Sequence, residues 1–265
     1  MFLAIDIGNT NIVIGLFENN QLTHKWRLPS SDKKTVDDYA VDIIEVFLID
    51  KIDSLKISGA IIASVVPSLT TLIHEAIKKI TNESAAEKIF IVGEQSVKLN
   101  IDIQVKNKNE VGHDRLVNAV AGFKKFGGNL TIIDFGTATT FDVVGKDGEY
   151  LGGVIAPGIN LSLKALHDMT AQLPKIVIKP QKNVIGKSTI EAMNSGVYFG
   201  YISLIEGMIE KIENELGCKT TKIITGGLSE IFKDALKNSI QHHEPDLTLE
   251  GLRIIYSKNQ KLLTK

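Results

Sequence analysis

The sequence predicts an α/β protein built from two related halves, each opening on a β-hairpin. Three observations predict it. Two apolar runs end in Asp-x-Gly followed by small polar residues: Phe2-Leu-Ala-Ile-Asp6-Ile-Gly8-Asn9-Thr10-Asn11 and Leu130-Thr-Ile-Ile-Asp134-Phe-Gly136-Thr137-Ala-Thr139. Each run continues into a second β-like stretch, 12–17 and 140–144, and then a turn, 18–20 and 146–148. The two aspartates stand 128 positions apart, almost half of the 265 residues. Repeated order at half-length is the mark of a duplicated unit.

The remaining elements follow in order. Val36, Tyr39, Ala40, Ile43, Val46 and Phe47 recur at helical spacing. Residues 57–65 form an apolar run suited to a buried strand. Leu69, Leu72, Ile73, Ala76, Ile77 and Ile80 mark a second amphipathic helix, and 88–92 a short strand. Leu116, Val120 and Phe123 give a helix that stops at Gly127-Gly128. A long helix runs from Thr189 to Leu216, with Ser188 as N-cap, Glu191 completing a capping box and Gly217 as the stop. Residues 222–225 are then a strand, Gly226-Gly227 a tight turn, and Ser229 the cap of a further helix. The expected division is 1–117 for the N-terminal half and 118–256 for the C-terminal half. A frayed tail is expected over 257–265, and a ligand cleft between the halves.

Composition excludes several classes. Thirty Lys+Arg against 31 Asp+Glu give a net charge of −1, so no basic surface for nucleic acid is expected. Hydrophobic residues are 43% and charged residues 23%, as in an ordinary globular chain. A single cysteine, Cys218, allows neither a disulfide framework nor a Cys-rich metal site. It follows a helix stop and reads as packing. No apolar stretch is long enough to span a membrane, and no signal peptide is visible, so a cytoplasmic protein is expected.

The candidate chemistry lies in the repeated turns. The turn at Asp6-Ile7-Gly8-Asn9-Thr10-Asn11 offers backbone N–H groups and small polar side chains that suit phosphate oxygens. An Asp at the adjoining strand end can hold hydrated Mg²⁺ through one carboxylate. Asp134, Gly136, Thr137, Thr139 and Thr140 repeat the pattern. The glycines at 226 and 227 allow a flat ring or a phosphate to approach the backbone. Gly112-His113-Asp114-Arg115 sets a carboxylate beside a guanidinium, which reads either as a common solvated pair or as a proton acceptor beside a fork that binds both oxygens of a carboxylate. Gly186-Lys187-Ser188-Thr189 is a decoy, because the P-loop spacing needs glycine at 181 and Gln181 stands there. His242-His243 reads as a solvated pair.

These residues resemble a known family. Paired Asp-x-Gly hairpins with a late Gly-Gly are similar to the superfamily of acetate and sugar kinases, heat-shock chaperone ATPases and actin. The implied fold is two ribonuclease H-like (actin-like ATPase) halves, each a mixed sheet with flanking helices. Over roughly residues 1–256 the chain resembles type III pantothenate kinases. The matching strings are 6–11, 110–115, 134–142, 152–158 and 189–196, in that order.

The resemblance implies ATP-dependent phosphorylation of pantothenate to 4′-phosphopantothenate, the first step of coenzyme A synthesis. It implies that Asp6, Ile7, Gly8, Asn9, Thr10, Asn11, Ile12 and Val13 cradle ATP, joined by Thr137. Asp134 would hold K⁺ or NH₄⁺. Gly112, His113, Asp114, Arg115 and Thr189 would bind pantothenate, with Asp114 as proton acceptor and Thr189 supplied by the partner of a homodimer with a shared active site. Two positions depart from the pattern: His113 replaces the usual alanine, and Val105 stands where an aromatic residue is usual. Two other readings remain, another small-molecule kinase of the superfamily and a non-enzymatic transcription accessory factor on the same fold.

Overall fold

Two sheets of identical topology carry the repeat. The computed structural model describes residues 1–263. The first sheet contains β1 (Phe2–Ile7), β2 (Asn11–Glu18), β3 (Gln21–Pro29), β4 (Ala60–Ser64) and β5 (Ile89–Ile91) in the order β3-β2-β1-β4-β5. The second contains β6 (Leu130–Phe135), β7 (Ala138–Val144), β8 (Tyr150–Pro157), β9 (Thr221–Thr225) and β10 (His242–His243). Its order, β10-β9-β6-β7-β8, is the same topology. In both, the first three strands are an antiparallel meander and the last two join in parallel. Even the irregularities match: a register shift falls at Leu16/Phe17 in one sheet and at Val143/Val144 in the other. The turns differ by one residue. Ile7 pairs with Ile12 across residues 8–11, whereas Phe135 pairs with Thr139 across 136–138.

The helices are α1 (Val36–Ile49), α2 (Pro67–Ile80), α3 (Glu83–Ala86), α4 (His113–Phe126), α5 (Ile159–Asp168), α6 (Thr189–Leu216), α7 (Ser229–Phe232) and α8 (Leu247–Leu263). β1 is apolar without alternation because both its faces are covered. Leu3, Ile5 and Ile7 enter a core with Tyr39, Ile43 and Phe47 of α1 and Leu69, Ile73 and Ile77 of α2. Phe2 and Ala4 enter a second core with Val117 and Val120 of α4 and Leu249, Leu252, Ile255 and Tyr256 of α8. Around the second sheet, Ile133, Phe135, Phe141 and Val143 pack with Ile159 of α5, Val197, Tyr201 and Ile205 of α6 and Phe232 of α7. The β2–β3 connection is Asn19-Asn20, both at positive φ (50° and 65°), as a two-residue hairpin of that twist requires.

The chain groups into two compact units that differ from the expected halves. One holds Met1–Ile101, Lys106–Ala121 and the segment from Leu247; the other holds Asp102–Val105 and Gly122–Asp246. The tail is not frayed where it is described. α8 continues to Leu263 and belongs with the first unit; residues 264 and 265 lie outside the described part. Its buried face extends past Tyr256 to the polar Asn259, 2% exposed, whose amide exchanges two hydrogen bonds with the Lys98 backbone, at 2.8 and 3.0 Å.

α6 begins and ends as its sequence dictates, with one difference. The Ser188 hydroxyl accepts from Glu191 N–H and Gly217 closes the helix at φ 67°. The Glu191 carboxylate, however, accepts from Lys187 N–H, one residue before the cap. Near the end of α6, Glu213 is buried and gathers the start of β9. It accepts from Thr220 N–H at 2.9 Å and from the ammonium groups of Lys219 and Lys222, each at 2.7 Å. Burial pushes its carboxyl up, but those hydrogen bonds outweigh burial and hold it at about 2, below the usual 4.5.

Candidate functional site

In the first unit, three segments converge at the ends of β1 and β4. The turn after β1 is pinned twice. Gly8 N–H donates to the Asn11 carbonyl at 3.0 Å, and Ser30 at the end of β3 donates its hydroxyl to the Gly8 carbonyl at 2.6 Å and its N–H to the Thr10 carbonyl at 3.1 Å. Asn9 and Thr10 are left exposed at its tip, while Asp6 is half-buried at the strand end. The loop after β4 joins it through Val65 N–H to the Ile7 carbonyl, 3.1 Å. The start of α4 joins that loop, because the His113 ring, through Nδ1, lies 3.2 Å from the Ser64 carbonyl.

Asp114 is in the first turn of α4, where the helix dipole favours a negative charge. Its Oδ1 accepts the Arg115 N–H at 2.8 Å, so the carboxylate folds back over the helix start. Gly112 makes room for it: a Cβ there would stand 2.5 Å from that same oxygen. This is the physical reason for glycine two residues before the carboxylate. Arg115 is half-buried, and its Nη2 is out of solvent.

In the second unit, Asp134 stands one residue before the end of β6, opposite Thr140 on β7 and Thr225 on β9. Gly226 follows Thr225 at φ 92°, and a Cβ on it would collide with Asp134 Oδ1 and lie 2.6 Å from Phe135 N. The backbone thus walls the carboxylate closely, a position only glycine can take without strain. Thr137 is exposed on the turn, and the Gly158 backbone packs against its carbonyl. Asp142, fully buried, accepts from Tyr150 Oη at 2.8 Å and Thr140 Oγ1 at 3.3 Å. Thr189 is exposed as the first residue of α6.

The family model matching this chain is that of the type III pantothenate kinase, over residues 2–211. The chain belongs to the type III pantothenate kinase family. Family members similar to it share nearly its whole length. A type III pantothenate kinase of Paramagnetospirillum magneticum is 44% identical over 259 residues, covering 98% of this chain and 98% of its own. One from Rhodospirillum rubrum is 44% identical over 260 residues, covering 98% and 99%. Among solved structures, a Baf family transcriptional activator from Campylobacter jejuni superposes with a TM-score of 0.59 at 18% identity, over 98% of this chain and all of that one. That likeness is one of fold.

Within this pantothenate kinase family member, the expected residues fall into separate groups. Residues 6–13 and 112–115 sit together in the first unit, through the Ser64–Val66 loop that sequence reading did not single out. Ser64 carries the only visible signal, a small hydroxyl residue just after an apolar strand. Asp134 and Thr137 are on one hairpin of the second unit, with Gly226 as an unforeseen neighbour of the carboxylate itself. His113 spends its ring on the fold rather than leaving it open, with the Gly93 backbone beneath it. Val105 lies near Gly152, 3.6 Å from where a Cβ would be. Two bland expectations also change. Cys218 is exposed, taking a 3.4 Å hydrogen bond from Asn129 rather than packing inside. His242 and His243 are half-buried, not solvated: His242 stacks on Phe126 at 4.0 Å and His243 meets Ser229. Among the described residues, no helix is long and apolar enough to cross a membrane.

Proposed function

We propose that this chain transfers the γ-phosphoryl group of ATP to the 4′-hydroxyl of pantothenate, giving ADP and 4′-phosphopantothenate, with Asp114 as proton acceptor. Family membership over nearly the full length carries the reaction. Support for the acceptor is its geometry: Asp114 spends one oxygen on Arg115 N–H and can turn the other toward a hydroxyl. A carboxylate is a weak base for an alcohol, so it first orients the hydroxyl and takes the proton late, as the new O–P bond forms and the bond to the ADP oxygen breaks. Arg115 pairs with the pantothenate carboxylate, Gly112 and His113 line that pocket, and the second subunit of a homodimer supplies its Thr189.

The turn from Asp6 to Val13, with Thr137, receives the ATP phosphates. Among the described residues no group of three or more His, Cys, Asp or Glu could cage a metal. Single carboxylates beside phosphate-binding turns suit instead a hydrated Mg²⁺ near Asp6 and a K⁺ or NH₄⁺ at Asp134, both held largely by oxygen atoms. The missing Cβ at Gly226 keeps a side chain off the Asp134 carboxylate. When bound, these ions neutralise developing phosphate charge.

A homodimer is part of the proposal. Gly196, Gly200 and Gly207 lie along α6, and a Cβ on any of them would meet nothing within 4 Å. They do not pack on their own sheet, and they would let a second α6 approach closely. Ile185 and Met169 nearby in sequence are 82% and 84% exposed, apolar surface that a partner would cover. The deciding experiment is ADP release with pantothenate beside hexoses, with and without K⁺. Turnover confined to pantothenate supports the reading; turnover only with a sugar refutes it.

A further inference from the structure

β10 is two residues long and sits at the edge of its sheet, yet it is clamped firmly. His242 stacks on Phe126, and Glu244 pairs with Lys125 at 2.6 Å and donates its N–H to the Ile224 carbonyl at 2.9 Å. Between them, His243 points its Nε2 at Ser229 Oγ, 2.9 Å away. Ser229 does not cap α7 as its sequence position suggests; the N-cap is Leu228. The Ser229 hydroxyl turns back to the Gly226 carbonyl, 2.7 Å, which also receives Ser229 N–H at 3.2 Å.

The serine proton sets the direction of the histidine contact. A carbonyl can only accept, so the single hydroxyl proton of Ser229 goes to Gly226. The Nε2 contact must then be an N–H donated to Ser229 Oγ. That fixes the neutral ring as the Nε2–H tautomer, with Nδ1 facing the Glu230 carboxylate at 3.8 Å. The grouping of Ser229, His243 and Glu230 is not a hydrolase centre. Ser229 is 1% exposed, its proton is committed to a backbone carbonyl, and its histidine donates rather than accepts.

We infer that His243 is a positioning residue for the Asp134 site: through Ser229 it holds the Gly226 peptide that walls the Asp134 carboxylate. The chain runs from the imidazole to the serine, to the Gly226 carbonyl, and across that residue to Asp134 Oδ1, so close that a Cβ would strike it. Losing the first link frees the Gly226 turn to shift, and the carboxylate loses its fixed wall. The inference rests on the proposed role of Asp134 in holding a monovalent cation.

The test compares His243→Leu, which keeps bulk and loses the donor, with His243→Gln, whose amide N–H can replace Nε2–H, and with Ser229→Ala. Two readouts do not depend on turnover: the imidazole ¹⁵N spectrum of the wild type, and the KCl concentration giving half of the maximal thermal stabilisation in the presence of ADP. The expected spectrum shows the Nε2–H tautomer for His243. Both donor-deleting variants should need about fivefold more K⁺, the equilibrium equivalent of one neutral hydrogen bond, with the pantothenate KM unchanged and His243→Gln restored. An Nδ1–H tautomer, a wild-type K⁺ requirement in His243→Leu, or a His243→Gln that fails like leucine overturns the inference alone. A wild type that gains no stability from K⁺ overturns the cation site and the inference with it.

Discussion

Glu213→Gln tests how firmly the strand leading to Gly226 is anchored. The substitution keeps the shape and leaves an oxygen to accept Thr220 N–H, so it removes mainly the charge. Glu213 is held at about 2 against an ordinary 4.5. That difference is worth ~3 kcal/mol of stability at neutral pH, since each tenfold change in proton affinity corresponds to about 1.4 kcal/mol. Lys222, only 12% exposed at its side chain, keeps an ammonium with its carboxylate gone, which points to a loss of similar size. Lys219 is 87% exposed and adds little.

The sign follows from a depressed folded value: the stabilisation is complete above about 4.5 and fades as pH falls toward 2. Urea unfolding followed by circular dichroism is the assay. Trp26, the single tryptophan, lies in β3 of the other unit and would report on the wrong sheet. The wild type should exceed the variant by ~3 kcal/mol at pH 7, and by about 1–2 kcal/mol less than that near pH 3.5. Equal differences at the two pH values would refute the assignment of this energy to the carboxylate charge.

Three further outcomes are expected. Asp114→Asn should keep ATP binding by calorimetry yet lose roughly 10²–10⁴-fold in kcat, the usual worth of a positioned acid–base group; near-normal turnover would remove Asp114 as acceptor. Gly226→Ala should raise the K⁺ needed for activation and cost ~1–2 kcal/mol of stability, since its φ of 92° and its contact with Asp134 both forbid a side chain. Gly200→Leu should leave the unfolding midpoint of the isolated chain unchanged, because nothing lies within 4 Å of the new Cβ; sedimentation should show the dimer weakened, and an unaltered dimer would place the interface elsewhere.

Much of the fold was legible because its signals are local. Buried strands read as apolar runs, α1 and α2 from their apolar spacing, and α6 from its caps. The third strands were harder: β3 alternates between half-buried and exposed residues, and β8 is broken by glycines. α8 was not read, and its last turns past Tyr256 looked frayed because they are polar; the long-range bonds of Asn259 to Lys98 show why they hold. The hydroxyl of Ser229 was misread because a cap and a backward bond to Gly226 need the same residue type at the same position.

By itself, then, the sequence determined the duplication, the family and the identity of the polar residues, since these depend on order and residue type along the chain. Tertiary structure decided their company. Gly112 yields to the Asp114 carboxylate, Gly226 to that of Asp134, and Ser229 and His243 stand behind Gly226. Apolar burial places strands by pattern, which a linear reading can follow. A hydrogen bond or a forbidden Cβ depends on differences of a few tenths of an ångström in atomic positions, and those are set only once the surrounding segments have folded together.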